Sequence, residues 1–178
     1  MNATDTRRIW IGCLAAYTAG SLHGEWVDVN GDAEELEEAK DRILAASPEP
    51  NAEEWFIADH EGFGDLIGEY SSMEEVARVD AALTEAAEYV PLDAVIGYLD
   101  HVGGIDYLDG CEDAYAGCWR GGEEYAADLI EQTGGLDEMP DNLRSYFDSA
   151  ALYRDMRLGG EVFEVDAGDG EVYIFRSY

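Results

Sequence analysis

Glu161-Val-Phe-Glu-Val-Asp166, Gly168-Asp169-Gly170 and Glu171-Val-Tyr-Ile-Phe-Arg176 together decide the class of fold. Two short runs rich in Val, Phe, Tyr and Ile flank a Gly-Asp-Gly turn, which predicts an antiparallel hairpin with strands at 161–166 and 171–176. Immediately before it the pattern changes to helix. Asp148 stands as N-cap to a helix over 149–158 that Gly159-Gly160 stops, and a shorter helix is expected at 141–147. Earlier still, a helix over 123–133 ends at Gly134-Gly135, a strand is expected at 114–120, and residues 106–113 read as a loop.

The middle of the chain is helical. Ser72 and Glu75 form a capping box, and Val76, Val79, Leu83 and Ala86 carry the apolar stripe of a helix that runs to about Tyr89. Pro91 then opens a second helix whose expected inner face is Leu92, Val95, Ile96, Leu99 and Val102, ended by Gly103-Gly104. In the first sixty residues, strands are expected at 8–16, 25–29 and 53–59. The turn Asn30-Gly31 leads to a helix over 33–46 behind Asp32, which Pro48 and Pro50 stop. The predicted class is α+β: short antiparallel sheets packed with helices and a helical middle section, with three subdomains at 1–62, 63–104 and 105–178.

Apolar residues make up 47% of the chain, with four Trp and eleven Tyr, so the composition supports a folded core. Charge is its unusual property. Forty-one Asp and Glu against ten Lys and Arg give a formal net charge of −31. A field of that sign repels phosphate and attracts basic grooves, which excludes direct nucleic-acid binding. Cys13, Cys111 and Cys118 are odd in number and lack C-x-x-C spacing, as expected of reduced thiols. The start of the chain lacks the long apolar stretch of a signal peptide, and no segment approaches the roughly 18 apolar residues of a membrane span. A soluble, cytoplasmic protein is expected.

The distribution of the acids narrows the reading. From Val79 to Trp119 and from Gly121 to Leu143 there is no Lys or Arg. Thirteen of the sixteen acids in these stretches are the candidate partner-binding carboxylates: Asp80, Glu85, Glu88, Asp93, Asp100, Asp106, Asp109, Glu112, Asp113, Glu123, Glu124, Asp128 and Glu131. Glu34, Glu38 and Asp41 share one helical face, as do Glu124, Asp128 and Glu131. Like charges at such spacings cost about 0.2–0.5 kcal/mol per pair, so stability alone would not favour these stripes. A duplex carries one charge per about 1.7 Å of axis, so 31 charges correspond to about 53 Å of DNA. Charge alone leaves open a DNA mimic, a halophile-adapted acidic protein with an ordinary task, and a generic acidic interaction module.

Catalytic signatures are missing. His23, His60 and His101 lie in no H-E-x-x-H motif, and neither G-x-S-x-G nor a phosphate loop occurs. Asp106-Tyr-Leu-Asp109-Gly110 and Asp166-Ala-Gly-Asp169-Gly-Glu171 lack the ligand order of an EF-hand. No catalytic residue, metal or cofactor is expected.

Four ordered blocks carry a resemblance that covers nearly the whole chain: Leu14-Ala-Ala-Tyr-Thr-Ala-Gly-Ser-Leu-His-Gly-Glu-Trp-Val-Asp28; Glu53-Glu-Trp-Phe-Ile-Ala-Asp-His-Glu-Gly-Phe-Gly64; Glu112-Asp-Ala-Tyr-Ala-Gly117 with Glu124-Tyr-Ala126; and Pro140, Leu143, Tyr146-Phe-Asp148, Arg154-Asp155 and Gly159-Gly-Glu-Val-Phe163. In these the sequence resembles the ArdA antirestriction family. The resemblance implies an elongated three-part protein carried on mobile elements, forming a homodimer through its C-terminal part. It further implies carboxylates that imitate the phosphates of bent B-form DNA, and type I restriction–modification enzymes as the target.

Overall fold

The computed structural model describes residues 6–137 and 139–177 of the 178-residue chain; Met1–Asp5, Glu138 and Tyr178 lie outside the described residues. The fold is mixed, with eight α-helices and two three-stranded antiparallel sheets among the described residues. It divides into two compact units. One holds the described residues up to Glu88 together with Leu99–Leu108, and the other holds Tyr89–Tyr98 and the described residues from Asp109 onward. The expected division at 1–62, 63–104 and 105–178 differs from this grouping, because the helical middle is shared between the two units.

In the first unit β1 (Arg8–Cys13) lies between β2 (Gly24–Asp28) and β3 (Trp55–Glu61). Alternation sets the sheet's inner face: Ile9, Ile11 and Cys13 are all fully buried. Trp10 pairs with Asp59 and Ile11 with Ile57, so Ala58 is the extra residue of a β-bulge. The expected strand over 8–16 stops early, because Leu14–Thr18 forms a short helix, α1, that buries Ala16. The apolar run Cys-Leu-Ala-Ala carries no periodicity to mark the change. The third strand starts two residues later than expected, at Trp55.

Helix α2 (Ala33–Ala45) is capped by Asp32, whose side chain accepts from the backbone N–H groups of Glu34 and Glu35. Its Leu36 and Ile43 point inward. Helix α3 (Met73–Ala86) is capped by Ser72, which accepts from the N–H of Glu75, and it buries Met73, Val76, Ala77, Val79 and Leu83. At about 25 cal/mol per Å², each of the larger ones, Met73, Val76, Val79 and Leu83, contributes roughly 1.5–3 kcal/mol to folding.

In the second unit β4 (Tyr115–Trp119) and β5 (Val162–Gly168) flank β6 (Glu171–Arg176). Period-two geometry sends Ile174 and Phe175 to opposite faces, and both are fully buried. Ile174 joins Tyr125 and Ala126 of α6 (Gly122–Gln132) with Tyr153 and Met156 of α8 (Ser149–Gly159). Phe175 continues an aromatic row across the sheet, its ring centroid 5.5 Å from Tyr115 and 5.2 Å from Phe163.

Tyr98 of α4 (Leu92–Val102) covers that row, 5.1 Å from Phe175. Its neighbour Gly97 permits the approach, since a Cβ there would lie 2.2 Å from a Val165 methyl. The buried residues of α4 are therefore Ala94, Val95, Tyr98 and Leu99, whereas Leu92, Ile96 and Val102 of the expected face are only half-buried. Val95 and Leu99 of the expected face are thus buried, while Ala94 and Tyr98 take the places expected of Leu92, Ile96 and Val102. The expected loop at 106–113 is a 3-10 helix, Ile105–Gly110, followed by α5 (Cys111–Ala114). The helix expected at 141–147 shortens to α7 (Asp141–Arg144).

Candidate partner-binding surface

Helix α6 shows how the sequence places its acids. Tyr125 and Ala126 turn inward to the second unit's core, so Glu123, Glu124 and Glu131 are exposed and Asp128 is half-buried at the flank. Glu123 and Glu124 occupy the first turn, where the helix N-terminus carries a partial positive charge that favours carboxylates. The same placement recurs with Glu34 and Glu35 on α2, Glu74 and Glu75 on α3, and Asp93 on α4. The fold thus tolerates part of its charge by aligning acids with helix dipoles.

The remaining candidates spread over both units. Glu85 and Glu88 stand at the end of α3 and just after it, and Asp106 and Asp109 lie on the 3-10 helix. Glu112 and Asp113 occupy the first turn of α5. Asp100 accepts from the N–H of Asp65 at 3.1 Å, and Asp128 accepts from the amide of Gln132 at 2.5 Å. Glu124 accepts from the N–H of Arg120 at 3.0 Å and faces that guanidinium at 3.9 Å. Apart from Asp80 and Asp128, every member of the candidate set is exposed.

Asp80 is a correction. It was expected as a surface acid, yet it is 3% exposed and ion-paired with Arg7, itself 7% exposed. These are the buried charged residues among those described. Asp80 falls on the inward stripe of α3, and its cation lies 73 positions away in sequence, so counting nearby Lys and Arg missed it.

Scanning for basic-free stretches also passed over the acids that precede Val79. Lys40 pairs with Glu37 and Asp41, and Arg42 with Glu25 at 2.7 Å. Hydrogen bonding to Glu37 holds the Lys40 ammonium above its ordinary pKa despite partial burial. The cations of this region are thereby held locally, and Glu34, Glu35 and Glu38 remain exposed. Arg8 reaches Glu61 through two bonds of 2.8 and 2.9 Å, and this contact holds the Glu61 carboxyl below the usual range. The helical spacing of Glu34 and Glu38 was the available signal.

Among the described residues no group of three or more His, Cys, Asp or Glu is placed to hold a metal ion. No helix among them is long and apolar enough to cross a membrane.

Fold and surface together define an acidic α+β protein whose exposed chemistry is chiefly carboxylate. Residues 9–170 match the antirestriction protein family ArdA, and the chain belongs to that family. Membership makes restriction enzymes the class of target. Comparison with curated proteins returns no match.

Proposed function

We propose that this protein is a DNA mimic that competitively inhibits type I restriction–modification enzymes by occupying their DNA-binding groove. It acts as a ligand, without catalysis, cofactor or direct contact with nucleic acid. The observation that carries the reading is the exposure of Glu85, Glu88, Asp93, Asp100, Asp106, Asp109, Glu112, Asp113, Glu123, Glu124 and Glu131 within stretches free of Lys and Arg. A groove built to bind phosphates meets exposed anions on each unit, and counterion release favours the protein as it favours DNA.

Action on a cytoplasmic enzyme places the inhibitor in the same compartment. Dimerisation through the C-terminal part is the companion proposal. Leu143, Tyr146 and Leu158 are 47%, 82% and 80% exposed. A groove of about 390 Å³ in the same unit is lined by Ile130, Leu136 and Phe147 together with the charged Glu131, Asp137 and Arg144. Covering them would remove apolar surface from water.

The test is displacement. A labelled duplex bound to a purified type I enzyme at low salt is titrated with the protein. Release of the duplex is expected; an enzyme that keeps its DNA in the presence of excess protein would overturn the reading. Sedimentation of wild type against Leu158→Glu reads the dimer separately.

A further inference from the structure

A groove of about 520 Å³ lies within the first unit, between the end of α1, the segment leading to β2, and the outer side of β3. Its walls mix aromatic and apolar side chains with polar ones, His60 among them. Tyr17 is 60% exposed with its ring centroid 5.4 Å from that of Phe56, and Leu22 is 75% exposed. Asp59 and Glu69 line the same groove and are exposed. Glu69 is held beside the strand by its backbone carbonyl, which accepts from the N–H of Ile57 at 2.9 Å. One Asp59 oxygen accepts from the N–H of His60 at 2.8 Å, which anchors that carboxylate beside the strand.

We propose that this groove is a recognition site for one arginine side chain of the target enzyme, a specific contact added to the general field of carboxylates. The inference rests on the DNA-mimic reading. A guanidinium stacks by its flat face on an aromatic ring and donates in its plane to carboxylates, and its weak hydration lets it enter a half-apolar groove. The protein already displays this arrangement internally. On the same sheet the Arg8 guanidinium lies 4.6 Å from the Trp26 ring centroid while bonding to both oxygens of Glu61. The exposed Tyr17 ring and the Asp59 carboxylate provide the same kinds of partner for a cation from outside, backed by the buried Phe56 ring and by Glu69, whose carboxylate also accepts from the Tyr70 hydroxyl. Restriction enzymes that hold DNA phosphates present such cations.

The test separates ring from charge. Wild type, Tyr17→Phe, Tyr17→Leu, Asp59→Asn and the double variant Tyr17→Leu/Asp59→Asn are titrated against a type I enzyme and its duplex, with folding checked by circular dichroism. Tyr17→Leu leaves the net charge unchanged, so a purely electrostatic mimic is indifferent to it. We expect it to lose about 2- to 5-fold in inhibition, and Tyr17→Phe to remain within about 2-fold of wild type. Asp59→Asn, on the exposed side of the strand, reads the site without touching its packing. The double variant should lose less than the product of the single losses, because ring and carboxylate serve one guanidinium. Equal inhibition by Tyr17→Leu and wild type, or strictly multiplicative losses, overturns the arginine site and leaves the mimic standing. A wild type that never displaces DNA overturns the mimic itself.

Discussion

Arg7 and Asp80 form a buried ion pair that ties the segment entering β1 to the inward face of α3. The guanidinium also donates to the Asp80 carbonyl at 3.3 Å and to the Thr84 hydroxyl, which itself donates to that carbonyl at 2.8 Å. Removing one partner leaves the other charge buried. Asp80→Ala is therefore expected to destabilise the protein by about 3–5 kcal/mol in urea unfolding. Its inhibition per folded molecule should equal wild type, which distinguishes Asp80 from the exposed acids.

Opposite behaviour is expected on α6. Asp128→Asn with Glu131→Gln removes like charges from one helical face, so stability in urea unfolding should hold or rise slightly, by about 0.2–0.5 kcal/mol per relieved pair. Inhibition should weaken, and the dependence of the enzyme complex on salt should become shallower by about one to two in log–log slope. A fall in stability with unchanged inhibition would show that these acids serve the fold.

Gly122 opens α6 against the face of Tyr153, and a Cβ there would sit 1.9 Å from the ring. The ring cannot withdraw freely, because its hydroxyl donates to Glu164 at 2.6 Å. Gly122→Ala should cost about 1–3 kcal/mol through overpacking, read as a lower urea midpoint at constant m-value.

Alkaline pH tests the second unit's core. Burial pushes the Cys111 thiol up to about 11 from an ordinary 9.0. Burial, then the bond to Glu164, likewise raises the Tyr153 hydroxyl above its ordinary 10.0. Both groups hold their protons more tightly when folded. Their stabilisation is thus complete below about pH 9 and declines as pH climbs from there toward 11 and beyond. Cys111→Ala should flatten the first part of that decline. Alkylation followed by mass spectrometry should mark exposed Cys118 while Cys13 and Cys111 stay protected until unfolding.

Local chemistry explains what was legible in the sequence. Asp32, Ser72 and Asp148 cap the helices their positions announced, and the hairpin forms around Asp169, whose φ of 53° suits Asp in a tight turn. Each of these signals acts within four residues. What stayed hidden depends on distant partners: Asp80 on Arg7, the inner face of α4 on the ring row of Phe163, Phe175 and Tyr115, and α1 on a seat for Ala16. The carboxylate face of α6 was readable from spacing. The groove beside β3 was not, since Tyr17, Leu22, Asp59 and Glu69 meet only in three dimensions.

The most direct measurement is the affinity of the purified protein for a type I restriction–modification enzyme as a function of salt, beside the same enzyme's affinity for its duplex. DNA mimicry predicts mutually exclusive binding, with both affinities falling linearly on log–log axes and with slopes of similar size. A complex that is indifferent to salt, or that forms on enzyme already saturated with DNA, would contradict it.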